Sequence, residues 1–129
     1  MEPRRKAILC LCHDSNMLEV RRMLLEHFGY RVLPSSSVED AKKLAKLQCP
    51  DMLLMDNTDV GTEYEQLAKQ VKRLCPEVIT VVLSPYFRVA RDGKLSCIDR
   101  FVVKDDGPHA LIEQIQELFG GTETAARPM

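Results

Sequence analysis

Three strand-like runs of this 129-residue chain end on residues that could do chemistry. Asp51-Met-Leu-Leu-Met-Asp56 closes on a carboxylate, Val81-Val-Leu-Ser84 on a hydroxyl, and Arg100-Phe-Val-Val-Lys104 on an ammonium. Strands of a parallel sheet point the same way, so their ends lie side by side along one edge. An acid, a hydroxyl donor and a fixed positive charge from distant parts of the chain would then meet at one site. Each has an ordinary role when taken alone: Asp56 as a turn residue or helix cap, Ser84 before Pro85 as the start of a turn, Lys104 as a solvated lysine. Their shared position at strand ends is what marks them as a candidate site.

The segments around them alternate between strand-like and helix-like patterns. Lys6 to Cys12 is a short apolar run that reads as a buried strand. Ser15 is the expected N-cap of a first helix carrying Met17, Val20, Leu24 and Phe28 at spacings of three and four, and Gly29 suits its C-terminus. Tyr30 to Leu33 reads as a second strand. Ser37 begins a second helix with Val38, Ala41 and Leu44 on one face. Asp51 to Met55 is an unbroken apolar run, as expected of a strand covered on both faces. A third helix places Tyr64, Leu67, Val71 and Leu74 inward, and Val78 to Leu83 is a β-branched fourth strand. From Pro85 to Cys97 the pattern is weak and supports at most a short helix. Ile98 to Val103 and Pro108 to Phe119 complete the set, the last helix using Leu111, Ile112, Ile115 and Leu118. Alternation of this kind predicts a parallel sheet wrapped by helices, with the functional site at the carboxyl ends of the strands.

Composition narrows the classes further. The chain is 45% hydrophobic and 29% charged, the ordinary balance of a single globular domain with a core of its own. A net charge of −1, with both signs interspersed, argues against nucleic acid or an anionic membrane as partner. No apolar run approaches the length of a membrane span, and no signal-peptide pattern opens the sequence, so a cytoplasmic protein is expected. Cys10, Cys12, Cys49, Cys75 and Cys97 contain no CxxC, and are expected to be small buried thiols in a reducing compartment. His13-Asp-Ser-Asn, after the first strand, lacks the glycines of a phosphate-cradling loop, which argues against nucleotide or flavin binding.

The ordered set resembles the receiver domains of two-component response regulators. Ile8 to Tyr30 is similar to their first strand and amphipathic helix ending in Gly-Tyr. Pro50-Asp-Met-Leu-Leu-Met-Asp56 resembles the strand that carries their phosphorylated aspartate. Ser84 and Lys104 match the family's hydroxyl and lysine, and Phe101, three positions before Lys104, its switch aromatic. The similarity covers about residues 6 to 119. It implies a flavodoxin-like (βα)5 sandwich: a five-stranded parallel sheet of order 2-1-3-4-5 with helices on both faces. Residues 1–5 would form an N-terminal segment and 120–129 a flexible tail. By the same resemblance this is a signalling domain and not an enzyme. Asp56 would accept a phosphoryl group from a histidine kinase or phosphotransfer protein, and Ser84 and Lys104 would contact it. Phe101 would shift with it, altering a surface read by a downstream effector protein. The alternative is a pseudo-receiver that docks its partner whatever its phosphorylation state.

One feature of the family is missing. Its receivers hold Mg²⁺ with a pair of acids at the end of the first strand, where this chain has Cys12 and His13. Magnesium prefers oxygen ligands in octahedral geometry, so Mg²⁺ binding is expected to be weakened. Two unit charges ~4 Å apart repel by about 4 kcal/mol at an effective dielectric of ~20, which is on the order of a thousandfold in rate if nothing neutralises them. Three substitutes are open. Asp14 could reach into a degenerate metal site with Cys12, His13, Asp56 and Thr58. A softer ion such as zinc could be held by Cys12, His13 and Asp56, although neighbours on a strand point to opposite faces. Finally, the site could be vestigial, with the fold retained for docking.

Overall fold

The computed structural model describes residues 5–56, 63–84, 97–103 and 107–120. Among them are five strands, β1 (Ala7–Leu11), β2 (Arg31–Ser35), β3 (Met52–Asp56), β4 (Ile79–Ser84) and β5 (Arg100–Val103). Four helices accompany them: α1 (Ser15–His27), α2 (Val38–Leu47), α3 (Glu63–Leu74) and α4 (Gly107–Leu118). The strands form one sheet of order β2-β1-β3-β4-β5, with all four pairings parallel. This is the expected architecture and strand order. The short helix expected between Pro85 and Cys97, and the tail beyond Gly120, lie outside the described residues.

The period-two alternation of the strands sorts the core into two layers. Leu9, Leu11, Leu53, Met55 and Val82 pack with Ala41 and Ala45 of α2 and with Leu67 and Val71 of α3. Ile8, Cys10, Met52, Leu54 and Val81 pack on the other face with Leu25 of α1 and with Leu111, Ile112 and Ile115 of α4. Both faces of β1 and β3 are therefore covered, which is why these strands read as continuous apolar runs. β2 is an edge strand and tolerates Pro34, whose missing N–H can face away from β1.

Several boundaries differ from the sequence reading. The N-cap of α1 is Asp14, one residue before the expected Ser15; its side chain accepts from the backbone N–H groups of Asn16 at 2.9 Å and Met17 at 3.2 Å. Ser37 caps α2 as expected, accepting from Asp40 N–H at 3.1 Å. At the end of α1, Gly29 takes φ +94°, a left-handed turn that suits glycine, while Tyr30 N–H returns to the Leu25 carbonyl. Of the expected stripe of α1, Leu24 packs against the core, but Met17, Val20 and Phe28 are exposed, so the stripe as a whole is not the buried face. The inward face centres on Arg21 and Leu25, with Leu18 and Leu24 packed beside them, and Val20 is 61% exposed. In α3 the inward series runs Tyr64, Leu67, Val71 and on to Cys75, leaving Leu74 exposed.

Cysteine pairing is the other correction. Cys10, Cys12 and Cys97 are buried free thiols, as expected, but Cys49 and Cys75 form a disulfide with Cα atoms 5.7 Å apart. It ties the turn before β3 to the end of α3, at the sheet edge opposite Asp56.

Candidate functional site

The order β2-β1-β3 means that the chain leaves β1 to one side for β2 and then crosses back past β1 to β3 on the other side. The carboxyl ends of β1 and β3 flank this reversal, where helices diverge and open a crevice. Leu11 pairs with Met55 in register, so Cys12 and Asp56 emerge side by side. Asp56 pairs with Leu83 on the other flank, which places Ser84 one residue further along the neighbouring strand. Ser84 in turn pairs with Val103, the residue before Lys104. The backbone thus brings the expected strand ends to one rim. Lys104 itself and Thr58 lie outside the described residues.

Asp56 is 4% exposed, a carboxylate withdrawn from water that needs a compensating partner. Arg21 provides one. Its Nη1 donates to Asp56 Oδ2 at 2.9 Å, with the two side chains 10% and 3% exposed. This is a charge-assisted bond in a low-dielectric setting, the strong class of hydrogen bond. Arg21 reaches the site because it occupies the inward position of α1 between Leu18 and Leu25. The pleat of β3 turns Asp56, like Met52 and Leu54, toward that helix. A groove of about 330 Å³ lies between α1 and α4, walled by Met17, Val20, Leu24 and Leu111, with Arg21 in its lining.

Cys12 completes the cluster. Its thiol lies 3.6 Å from Asp56 Oδ2 and 3.5 Å from the Asp14 carbonyl, two acceptors for one S–H. Burial pushes the Cys12 thiol up from its ordinary range, partly offset by the Asp14 carbonyl contact; the Asp56 charge adds to the rise. Cys10, deeper on the same strand, is pushed up to about 12, chiefly by burial. Both thiols are therefore held against ionisation and are poor nucleophiles.

The remaining sequence candidates are placed elsewhere. The His13 ring is exposed, with Nδ1 3.0 Å from the Ser36 carbonyl. The Asp14 carboxylate is engaged in capping α1. Among the described residues no group of three His, Cys, Asp or Glu side chains is placed to hold a metal. Among the described residues the Cys12, His13 and Asp56 zinc set is not brought together, and the Asp14 substitute involves Thr58, which lies outside them. Phe101 is partly buried on β5, opposite Val82 and packed against the α2–α3 layer.

Solved structures with the same architecture cover nearly the whole chain. A response regulator receiver domain protein (CheY-like) from Methanospirillum hungatei JF-1 superposes with a TM-score of 0.80 at 20% identity, over 95% of this chain and 100% of that one. Response regulator protein TrrA from Thermotoga maritima, in complex with Mg²⁺-BeF, gives 0.76 at 22% identity, over 88% and 98%. The chemotaxis protein CheY4 of Vibrio cholerae gives 0.76 at 18% identity, over 88% and 98%. The chain has the receiver fold. No family model matches the sequence, and no curated protein matches it either.

The Mg²⁺ of the Thermotoga structure invites a test of fit. A magnesium site in this chain would need several hard oxygen donors around Asp56. The described residues offer a soft sulfur at Cys12, where a hard oxygen is needed, and a carboxylate whose Oδ2 already accepts from Arg21. With Oδ2 taken by Arg21, the donors among the described residues do not fit Mg²⁺. Sequence reasoning missed Arg21 because the neighbouring all-apolar stripe looked like the better buried face. The signal was present in Leu18, Arg21 and Leu25, a stripe at helical spacing with a cation at its centre.

Proposed function

We propose that this receiver is a signalling domain of a two-component phosphorelay in which Asp56 is the phosphoacceptor. The observation that carries the reading is the buried Asp56 carboxylate at the β1/β3 reversal, with a guanidinium 2.9 Å away. In the transfer, an Asp56 carboxylate oxygen bonds to phosphorus as the bond to the donor breaks, and the donor's leaving group departs with the electron pair. The product is a mixed anhydride, which is reversible and therefore suited to a switch. Ser84 and Lys104 contact the phosphoryl oxygens in this reading. Phe101 repacks with Ser84, and the surface beside β4 and β5 shifts between two states according to their differential contacts. A histidine kinase or phosphotransfer protein stands upstream and an effector protein downstream, in the cytoplasm. Among the described residues no helix is long and apolar enough to cross a membrane.

A phosphorylation-independent docking module is the second reading, and the resting Arg21–Asp56 pair is the observation on its side. Incubation with acetyl phosphate, followed by intact mass measurement, separates the two. The phosphoacceptor reading expects one added phosphoryl group, lost in Asp56→Asn. An unchanged mass after prolonged incubation with both acetyl phosphate and phosphoramidate rejects it.

A further inference from the structure

The mismatch between this donor set and a divalent metal has a counterpart in Arg21. The cation that the described residues set against Asp56 is a side chain of the protein itself, fixed on the buried face of α1. A guanidinium stays protonated at any physiological pH and presents five N–H donors in a planar fork. It can satisfy a carboxylate at rest and turn donors toward phosphoryl oxygens once Asp56 is acylated, with little movement of the helix. We infer that Arg21 holds the cation position of this receiver, excluding a divalent metal at rest and serving phosphoryl transfer in its place. The second half rests on Asp56 being the phosphoacceptor; the first half does not.

The chemistry balances without a metal. With acetyl phosphate as donor, an Asp56 oxygen forms the new P–O bond while the P–O bond to acetate breaks, and acetate leaves with the electron pair. Charge that accumulates between the attacking carboxylate and the phosphoryl oxygens is what the guanidinium offsets. Removing that offset at ~4 Å slows transfer by on the order of a thousandfold. Arg21 is thus assigned a direct role, touching the reacting carboxylate.

Two experiments on the intact chain decide the matter. In the first, amide spectra are followed during Mg²⁺ titration and with trace Mn²⁺ as a paramagnetic probe. Wild-type protein is expected to show no selective broadening at Leu11, Cys12 and Asp56, and Arg21→Met to acquire it. If Arg21→Met does not fold, Arg21→Gln takes its place. Selective broadening in wild type, or none in the variant, overturns the exclusion of metal by Arg21 whether or not the protein is ever phosphorylated. In the second, acetyl phosphate labelling is timed with Mg²⁺ and with chelator. Equal wild-type rates in both, a severe loss in Arg21→Met and partial retention in Arg21→Lys are expected. Labelling that requires Mg²⁺ overturns the catalytic half. No labelling in any buffer overturns the phosphoacceptor reading and this catalytic half with it, while the metal titration still judges the resting pair.

Discussion

Substituting Arg21 by Met is the sharpest perturbation of the account. Methionine retains much of the apolar stem that packs beside Leu18 and Leu25 but leaves the Asp56 carboxylate without the guanidinium. The pair has an N–O distance of 2.9 Å and side chains 10% and 3% exposed, so solvent screens it little. Charge centres ~4 Å apart attract by about 4 kcal/mol at an effective dielectric of ~20. Breaking a buried pair on one side typically costs about 3–5 kcal/mol. For a chain of this size that corresponds to a fall in Tm of roughly 10–20 °C. Urea denaturation is the assay, with unchanged m-values required for the comparison. The double variant Arg21→Met/Asp56→Asn removes both charges and should recover much of the loss, giving a coupling of about 2 kcal/mol or more. A cost for Arg21→Met below about 1 kcal/mol, or strict additivity in the cycle, would refute the claim that the buried pair organises this site.

Other outcomes follow from the same structure. Reduction of Cys49–Cys75, which are 26 residues apart, should lower stability by ~3.5 kcal/mol in the chain-entropy description; no difference in urea midpoint between oxidised and reduced protein would argue against the bond. Native alkylation should modify no cysteine before reduction, and Cys49 first after it, because Cys10, Cys12 and Cys97 are buried and Cys49 is exposed. Peptide mapping reads this directly. Burial opposes ionisation of Asp99, but the Thr80 N–H at 2.8 Å and the Lys72 ammonium at 2.9 Å outweigh it and hold the carboxyl below its ordinary value of 3.8. A depressed folded-state pKa gives stability that is present above the unfolded value and disappears as pH falls through the folded one. The stability gap between wild type and Asp99→Asn should therefore be full above the ordinary value of 3.8 and shrink as pH falls below it. A gap that does not change with pH would contradict it.

The fold was legible because its signals are local and repeated. Apolar runs such as Met52–Met55, with helical stripes between them, leave a parallel sheet few topologies. Asp56 was legible as a strand-end residue for the same reason. What escaped was decided by tertiary geometry. Two stripes of α1 differ by one residue, and only the sheet determines which of them turns inward; the one chosen contains Arg21, whose charge hides it from an apolar pattern. Asp14 is a carboxylate that suits a metal or a helix cap, and the start of α1 claims it. Cys49 and Cys75 belong to segments whose proximity depends on how α2 and α3 pack, so spacing along the chain could not pair them.

What neutralises the buried carboxylate at the end of β3 decides how this site works. A crystal structure of the wild-type protein grown in millimolar Mg²⁺ measures this most directly. It should show the Arg21 guanidinium in contact with Asp56 and no metal coordinated there. An octahedral ion bound to Asp56, with Arg21 turned out into the α1–α4 groove, would contradict it.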